Sequence, residues 1–429
     1  MNYCAVGPST KLRTSELGVF LSSPPDQHRK QWLFANTLAT AGLIFFALYH
    51  LTAFRFVTLF TVEARMVDFS LWRFVPSYIW NHARYPAVVT GDWVHSVFPY
   101  LPSGAAMLLP LSIPPEPVAF AIWLLIEAGA FALAIWASLR LSGAMEVRGP
   151  MVIAITAVLL SDSAISWDFR THNTNIVYLA LLMLGLAIRR TWLSAMLLAL
   201  SCNLKFYSGP LMFVLVWRRE YRLAAGMAVT AMLIAILLPM AVFGPFSFSQ
   251  LMADWFAQVR YTFAPITQSA SASLVRSAAT ILATDPAAGE VTILVRAAQA
   301  VWIVLVLGYF AFANRTQQLP QLQYDQARLA DACVVLMAPL PLSTWFIPYH
   351  AVVLLPTYML IVVIAADGRW SNWLRITCVA ACTTCQILRF TVPNWNYRGA
   401  VYLVSFVILL VMLGAVRRAL TSYALRRIS

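Results

Sequence analysis

Apolar runs near membrane-spanning length recur along this chain, and basic pairs punctuate them: Arg189 with Arg190, Arg218 with Arg219, Arg417 with Arg418. A run of about 20 apolar residues satisfies its backbone polar groups in lipid only as a helix, so the pattern confines the chain to an all-α membrane architecture. Composition agrees, with 61% hydrophobic and 11% charged residues and a mean hydropathy of +0.73. A large soluble fold is excluded on that basis. The formal net charge of +13 does not point to nucleic acid, because the basic residues sit between apolar segments, which is the signature of cytoplasmic loops. The six cysteines lie mostly inside apolar segments with no histidine-bracketed Cys-x-x-Cys pair, so no metal site is expected. Cys378, Cys382 and Cys385 share a helix face by spacing and read as small packing residues.

The basic residues set a topology. Residues 1–32 carry Lys11, Arg13, Arg29 and Lys30 ahead of the first span and form a cytoplasmic tail without a cleavable signal peptide. A span over 33–60 leads to an outer loop at 61–116, which holds an apolar piece at 104–113 about half a span long, read as re-entrant. The next span, 117–139, returns to Arg140 and Arg148. Short segments at 151–163 and 174–188 follow, then a hairpin of two half-spans (191–203 and 206–217) with Lys205 at its outer tip. A span at 223–243 leads to a second outer loop, 244–291, with two amphipathic surface helices. Spans at 292–313, 329–345, 349–366, 376–388 and 400–416 complete about twelve transmembrane helices. The single transmembrane domain covers 33–417, and 418–429 is a second cytoplasmic tail. Of the 30 basic residues, 19 then lie inside, 10 outside, and Arg55 within the first span. Arg170, Lys205, Arg389 and Arg398 stand beside outer turns, where the positive-inside rule disfavours them, and such cations call for an anion.

The polar groups at the outer ends of the spans form a constellation. Asp68 in EARMVDFSLWRF follows the first span, and from the later outer segments come Asp162, Asp168, Arg170, His172, Asn173, Asn175, Lys205, Arg260, Arg276, Tyr349, His350 and Arg398. Ionisable groups at membrane depth are costly and tend to face a cavity. Lys205 is the only lysine outside the N-terminal tail. Each has an ordinary reading beside the functional one: Lys205 as a snorkelling side chain, His172 as part of a helix-capping cluster, His350 as an interfacial histidine, Asp68 as a helix N-terminal charge. Glu127 and His50, inside spans, read as interhelical hydrogen-bonders. Asp92 and His95 are too few ligands for a metal.

Four stretches in order, VDFSLWRF with ARYPAVV, VFPYLPSGAAMLLPLSIPP, THNTNIVYLALLMLGLAIRR with ALSCNLKFYSGPLMFVLVWRR, and APLPLSTWFIPYHAVVLLP, resemble glycosyltransferase family 87, integral-membrane C-type glycosyltransferases that use polyprenyl-phosphate sugars. The resemblance implies a C-type architecture with outer-face surface helices and Asp68 as the catalytic base of the first outer loop. It sets Lys205 on the family's lysine after the first half of the hairpin and His350 on the histidine after the Ser-Trp stretch. The chain departs from the family pattern at 171–175, where Gly-Gln before an Asn is common, and at Tyr349 and His350, where two histidines often stand.

The expected activity is inverting transfer of a hexose or pentose, mannose-like, from a polyprenyl phosphate to a lipid or glycan acceptor hydroxyl, on the outer face of a bacterial plasma membrane. Lys205, His350, Arg260 and Arg276 would meet the donor phosphate, and His172, Asn173 and Asn175 the sugar or acceptor. No cofactor or metal is expected, and no nucleic-acid partner. The alternatives are a secondary transporter or lipid flippase, which also uses broken helices, and a non-catalytic scaffold.

Overall fold

A computed structural model of the chain describes residues 68–86, 100–147, 149–262, 274–285, 289–313, 319–342, 348–392 and 395–428, and every regular element among them is helical. The expected first span at 33–60, with His50, and the pair Asp92 and His95 lie outside the described residues.

Among the described residues four helices are long and apolar enough to cross a membrane: α3 (Glu116–Ser142), α9 (Tyr221–Phe243), α12 (Gly289–Phe312) and α16, whose apolar part runs from Arg398 to Ser422 and whose helix continues to Ile428. Three of them, α3, α9 and α12, turn most of their apolar surface outward, whereas α16 is 56% buried. Leu125 is 75% exposed, Met232 63%, and Val304 66%, a rim of large apolar side chains that water would not tolerate and lipid would.

Between these helices the chain is built from shorter pieces: α4 (Pro150–Leu160), α5 (Asp162–Thr171), α6 (Asn175–Ala187), α7 (Thr191–Leu204), α8 (Leu211–Trp217), α13 (Gln321–Met337), α14 (Leu354–Ala366) and α15 (Asn372–Thr391). The expected segment 151–163 is therefore two helices broken at Ser161, and the hairpin is interrupted at Lys205 as its polarity foretold. The expected span at 329–345 is displaced, because helix α13 begins at Gln321 and buries Gln323, Gln326, Arg328 and Asp331 before its apolar half.

Two apolar segments that run short of a full span are largely buried. Helix α14 is enclosed from Leu354 to Ile361, and α6 packs against both α3 and α7. Where α6 meets α7, a side chain at Gly185 would press 2.8 Å against Leu198, so glycine permits the close approach that holds these two helices together.

The expected outer loops also contain helices. Helix α1 (Asp68–His82) buries Phe69, Trp72, Val75 and Ile79, one side of its surface, against the bundle. The apolar piece at 104–113 forms α2 (Pro102–Leu108) and a following 3-10 turn (Leu109–Ser112), packed against α9 and α1. In the second loop, α10 (Phe248–Thr262) and α11 (Leu274–Leu282) occur where amphipathic helices were expected. Helix α11 sets Val275, Ala278 and Ala279 against α12 and α16 and leaves Ile281 exposed.

Three buried cations tie the far ends of the helices together. Arg218 Nη1 and Arg417 Nε meet the two oxygens of Asp331 at 2.6 and 3.2 Å, and Tyr309 donates its hydroxyl to the same carboxylate. Arg328 pairs with Glu220 at 2.7 Å and donates to the Leu186 carbonyl. Asn175 begins α6 and Leu186 nearly ends it, so this ionic knot lies roughly 17 Å along α6 from the site described next.

Candidate functional site

The site grows from the turn between α5 and α6. His172 ends α5 in the left-handed region, at φ 52°, a conformation unfavourable for a residue with a Cβ and retained only where surroundings fix it. Here the fixing groups are visible. The carbonyl of His172 accepts from the indole N–H of Trp72 on α1 at 2.8 Å and of Trp123 on α3 at 3.1 Å. Its ring Nδ1 lies 2.9 Å from Oε2 of Glu127, and its edge meets the Phe120 ring at a centroid distance of 4.8 Å. Two helices, α1 and α3, therefore converge on the residue that ends α5.

The next three residues line the turn, all buried. Asp168 accepts from the side-chain amide of Asn175 at 2.6 Å and from the backbone amide of Ile176 at 3.1 Å, the latter a first-turn donor that α6 itself cannot satisfy. Thr174 shares a 2.9 Å hydrogen bond with the hydroxyl of Tyr100, whose carbonyl accepts from Tyr85.

Lys205 completes the arrangement from the opposite side. It sits in extended backbone between α7 and a 3-10 turn at Phe206–Ser208, where the helix breaks, and only 7% of it is exposed. Its ammonium donates to the side-chain oxygens of Asn173, at 3.0 Å, and Asn175, and lies 5.7 and 5.9 Å from the ring centres of Tyr100 and Tyr178. A buried ammonium is costly unless its protons are met, and amide oxygens with aromatic faces meet them while leaving its positive charge in place. Asn175 has its orientation forced, since its N–H faces the Asp168 carboxylate and its oxygen faces Lys205. The neighbouring Asn203 is held by Ser103 at 2.7 Å, and a side chain at Gly104 would stand 3.0 Å from the Asn203 carbonyl, so glycine lets α2 close over this corner.

Burial pushes the Asp168 carboxyl well above the ordinary carboxylate range, with the Glu127 charge adding to it, against the hydrogen bonds from Asn175 and Ile176 and the Lys205 charge. His350 lies in the 3-10 turn Pro348–Val353, which packs against α5 and α6, and it is near enough for the Lys205 charge to act on it. The expected residues His172, Asn173, Asn175, Lys205 and His350 are thus gathered in one region.

Others stand apart. Arg276 donates to the side chain of Asn396 at 2.7 Å, joining α11 to the start of α16. Arg260 belongs to the last turn of α10, a helix anchored through Asp254 to the Tyr85 amide. Asp68 is the first residue of α1, one turn ahead of Trp72, whose indole holds His172.

Glu127 was legible only as an interhelical hydrogen-bonder, and that it is; what the sequence hid was its partner. A lone carboxylate in a long apolar segment was the available signal. It lies 11 residues below Glu116, so the floor of the site is roughly 16 Å down α3 from the start of that helix. The roles of Trp72, Trp123, Tyr100 and Tyr178 had no signal beyond the general aromatic content.

Apolar helices long enough to cross a membrane, packed around a buried polar cluster with a retained positive charge, define a helical membrane protein. The glycosyltransferase family 87 model matches residues 98–339, more than half of the 429-residue chain, and the chain belongs to that family. Comparison with curated proteins and with solved structures gives no match. The matched stretch includes Tyr100, Glu127, Asp168, His172, Asn173, Asn175 and Lys205, and excludes Asp68 and His350. The protein is accordingly a glycosyltransferase with donor and acceptor substrates.

Proposed function

We propose that this glycosyltransferase moves a hexose or pentose, mannose foremost, from a polyprenyl phosphate to a hydroxyl of a lipid or glycan acceptor, with inversion at the sugar carbon. The observation that carries the reading is the buried Lys205 ammonium, held by the neutral oxygens of Asn173 and Asn175. A cation fixed in this way, in a region of low dielectric, suits a phosphate leaving group.

In the proposed reaction the bond between the sugar C1 and the phosphate oxygen breaks, and its electron pair stays on the phosphate. Lys205 meets the charge that develops and His350 contributes a ring N–H, with Arg260 and Arg276 as cations from the second loop; Arg276 would have to leave Asn396 to take part. The acceptor oxygen bonds to C1 from the opposite face, and its proton passes to Asp68. A single base and direct displacement invert the centre, in contrast to two-carboxylate retaining schemes. His172, Asn173 and Asn175 contribute to the sugar or acceptor side, and Glu127 positions His172. No metal is required where cations already hold the phosphate.

The same reading carries the C-type architecture, about twelve spans forming one domain over 33–417 between cytoplasmic tails at 1–32 and 418–429, and an active site on the outer face of a bacterial plasma membrane. Supporting it, Arg218, Arg328 and Arg417, assigned inside by loop charge, gather at one end of α6 and Lys205 lies at the other.

The test is a membrane assay with labelled polyprenyl-phosphate sugars and candidate acceptors, comparing wild type with Asp68→Ala and Lys205→Ala. Loss of transfer by about 100-fold or more in both is expected, the scale seen when one charge-stabilising group is removed. Full transfer by Asp68→Ala would remove it as base, and solute counterflow without transfer would favour a transporter. A cysteine at position 68 labelled only from the cytoplasmic side would overturn the topology.

A further inference from the structure

Helix α1 has two faces. One, with Trp72, Val75 and Ile79, is buried in the bundle, and from it Trp72 holds the His172 carbonyl. The other borders an open groove of about 420 Å³, closed on its far side by Ser112 of the Leu109–Ser112 turn and by Glu116 at the start of α3. That volume falls within the range of small-molecule sites, and the reaction proposed above uses none of the residues that line it.

Arg73 stitches the two walls together. Its guanidinium donates to the Leu111 carbonyl at 3.1 Å and the Pro114 carbonyl at 2.8 Å and pairs with Glu116 at 3.4 Å, while its own carbonyl accepts from the Ser112 hydroxyl at 2.7 Å. The width of the groove is therefore set before a ligand arrives, which lowers the cost of binding one. Among the described residues of the lining, Arg73 is the one guanidinium and Glu116 the one carboxylate, and they pair with each other. An anionic ligand would have to break that pair, and a neutral one would not.

Three rings follow one another along the α1 wall at four-residue intervals, Phe74, Tyr78 and His82. The centres of Phe74 and Tyr78 are 5.8 Å apart, and Tyr78 and His82 stack at 4.1 Å with 16° between their planes. Beside them stand groups that hydrogen-bond without charge. Ser70 and Ser77 bring hydroxyls, and Asn81 uses one N–H on the Ser77 carbonyl at 3.0 Å and keeps its amide oxygen as an acceptor. His82 Nδ1 lies 3.0 Å from the Tyr78 carbonyl and carries its hydrogen there, so the neutral ring keeps Nε2 as an acceptor. A sugar ring has the matching duality: a C–H face of slight positive charge, which lies on the negative face of an aromatic ring, and a rim of hydroxyls that donate and accept. A hydrocarbon chain in the same place would leave the serines and Asn81 unmet.

We propose that this groove binds neutral sugar units of the acceptor, remote from the hydroxyl that reacts. Helix α1, roughly 10 Å across, stands between the groove and the His172 turn, so the sugar held here is a different unit from the one that undergoes transfer. The assignment rests on the reading of the chain as a glycosyltransferase with a sugar-bearing acceptor, and not on the roles given to Asp68 and Lys205.

The test uses the full chain in a detergent without a sugar headgroup. It is screened against immobilised neutral oligosaccharides of mannose, glucose, galactose and arabinose, and against their phosphorylated and uronic-acid counterparts. Retention on a neutral set is expected, and the best-retained oligosaccharide is then titrated. Tyr78→Ala should weaken its binding about tenfold, the scale of one aromatic face. Asn81→Ala, at an exposed position where the fold is not at stake, should weaken it about threefold to tenfold, the scale of one hydrogen bond. Lys205→Ala should bind as wild type does. In the transfer assay Tyr78→Ala should raise the acceptor KM about tenfold with kcat kept, because the lost contact is the same in ground and transition states. Sugar binding that survives Tyr78→Ala and Asn81→Ala and is lost in Lys205→Ala would put the sugar at the reaction centre and overturn the groove. Retention on the anionic sets alone, or on none, would overturn it too. Oligosaccharide binding that depends on Tyr78, in a chain that transfers nothing from any polyprenyl phosphate, would uphold the groove and remove the donor reading.

Discussion

Glu127, in the middle of α3, lies 2.9 Å from the ring of His172, and both are almost wholly buried. The second carboxylate oxygen of Glu127 has no hydrogen-bond partner. The pair joins α3 to the turn that presents Asn173 and Asn175 to Lys205, so a change at Glu127 reaches the ammonium through the backbone of that turn.

Glu127→Gln keeps the shape and removes the charge. Transfer should fall by up to about 100-fold, the scale seen when a group is misplaced by about 1 Å, with kcat reduced more than KM and the pH profile of kcat altered because His172 loses its carboxylate neighbour. An unchanged pH profile beside a lowered melting temperature would make Glu127 purely structural.

Asp168 gives a pH signature. Its folded carboxyl is held above the ordinary carboxylate range, so it contributes stability below that range and loses the contribution as pH rises through the folded value. Asp168→Asn lacks this term. The melting temperature of the variant minus that of wild type should therefore rise as the pH is raised above about 4. A difference that stays flat, or falls with pH, would show that Asp168 is held ionised instead.

Asp331 carries the opposite end of the bundle, with Arg218 and Arg417 on its two oxygens. Asp331→Asn leaves two buried guanidinium groups undercompensated and should cost about 3–5 kcal/mol, seen as a steep loss of folded protein and a lower unfolding temperature. Adding Arg417→Met should restore part of that loss; a double variant less stable than Asp331→Asn alone would argue against charge as the cause.

Gly185→Ala tests the seam between α6 and α7. The added methyl would stand 2.8 Å from two side-chain carbons of Leu198 and 3.3 Å from its backbone nitrogen, so the helices must part or Leu198 must turn. A cost of about 1–3 kcal/mol in stability is expected. Activity should fall as well, because the same two helices carry Asn175 and Lys205.

Several of these features could be read before any coordinates. Apolar length required helices, basic pairs marked where segments end, and Lys205, as a lysine between two half-spans, marked the break in the hairpin that the fold contains. His172, Asn173 and Asn175 were legible as a polar cluster between apolar runs. Their meaning was not, because a hydrogen bond between residues 30 apart in sequence, such as Lys205 with Asn175, leaves no trace in local pattern.

What the sequence by itself determined is thus the local and the solvent-driven part: helical segments, their lipid-facing surfaces, and the positions where a charge interrupts them. Tertiary structure alone decided the partners. It set Glu127 against His172, gave the N–H and the oxygen of the Asn175 amide a partner each in Asp168 and Lys205, and drew Arg276 away to Asn396. The physical reason is that hydrophobic burial follows composition along the chain, whereas a hydrogen bond or ion pair requires two groups within about 3 Å, and only packing of distant segments sets that distance.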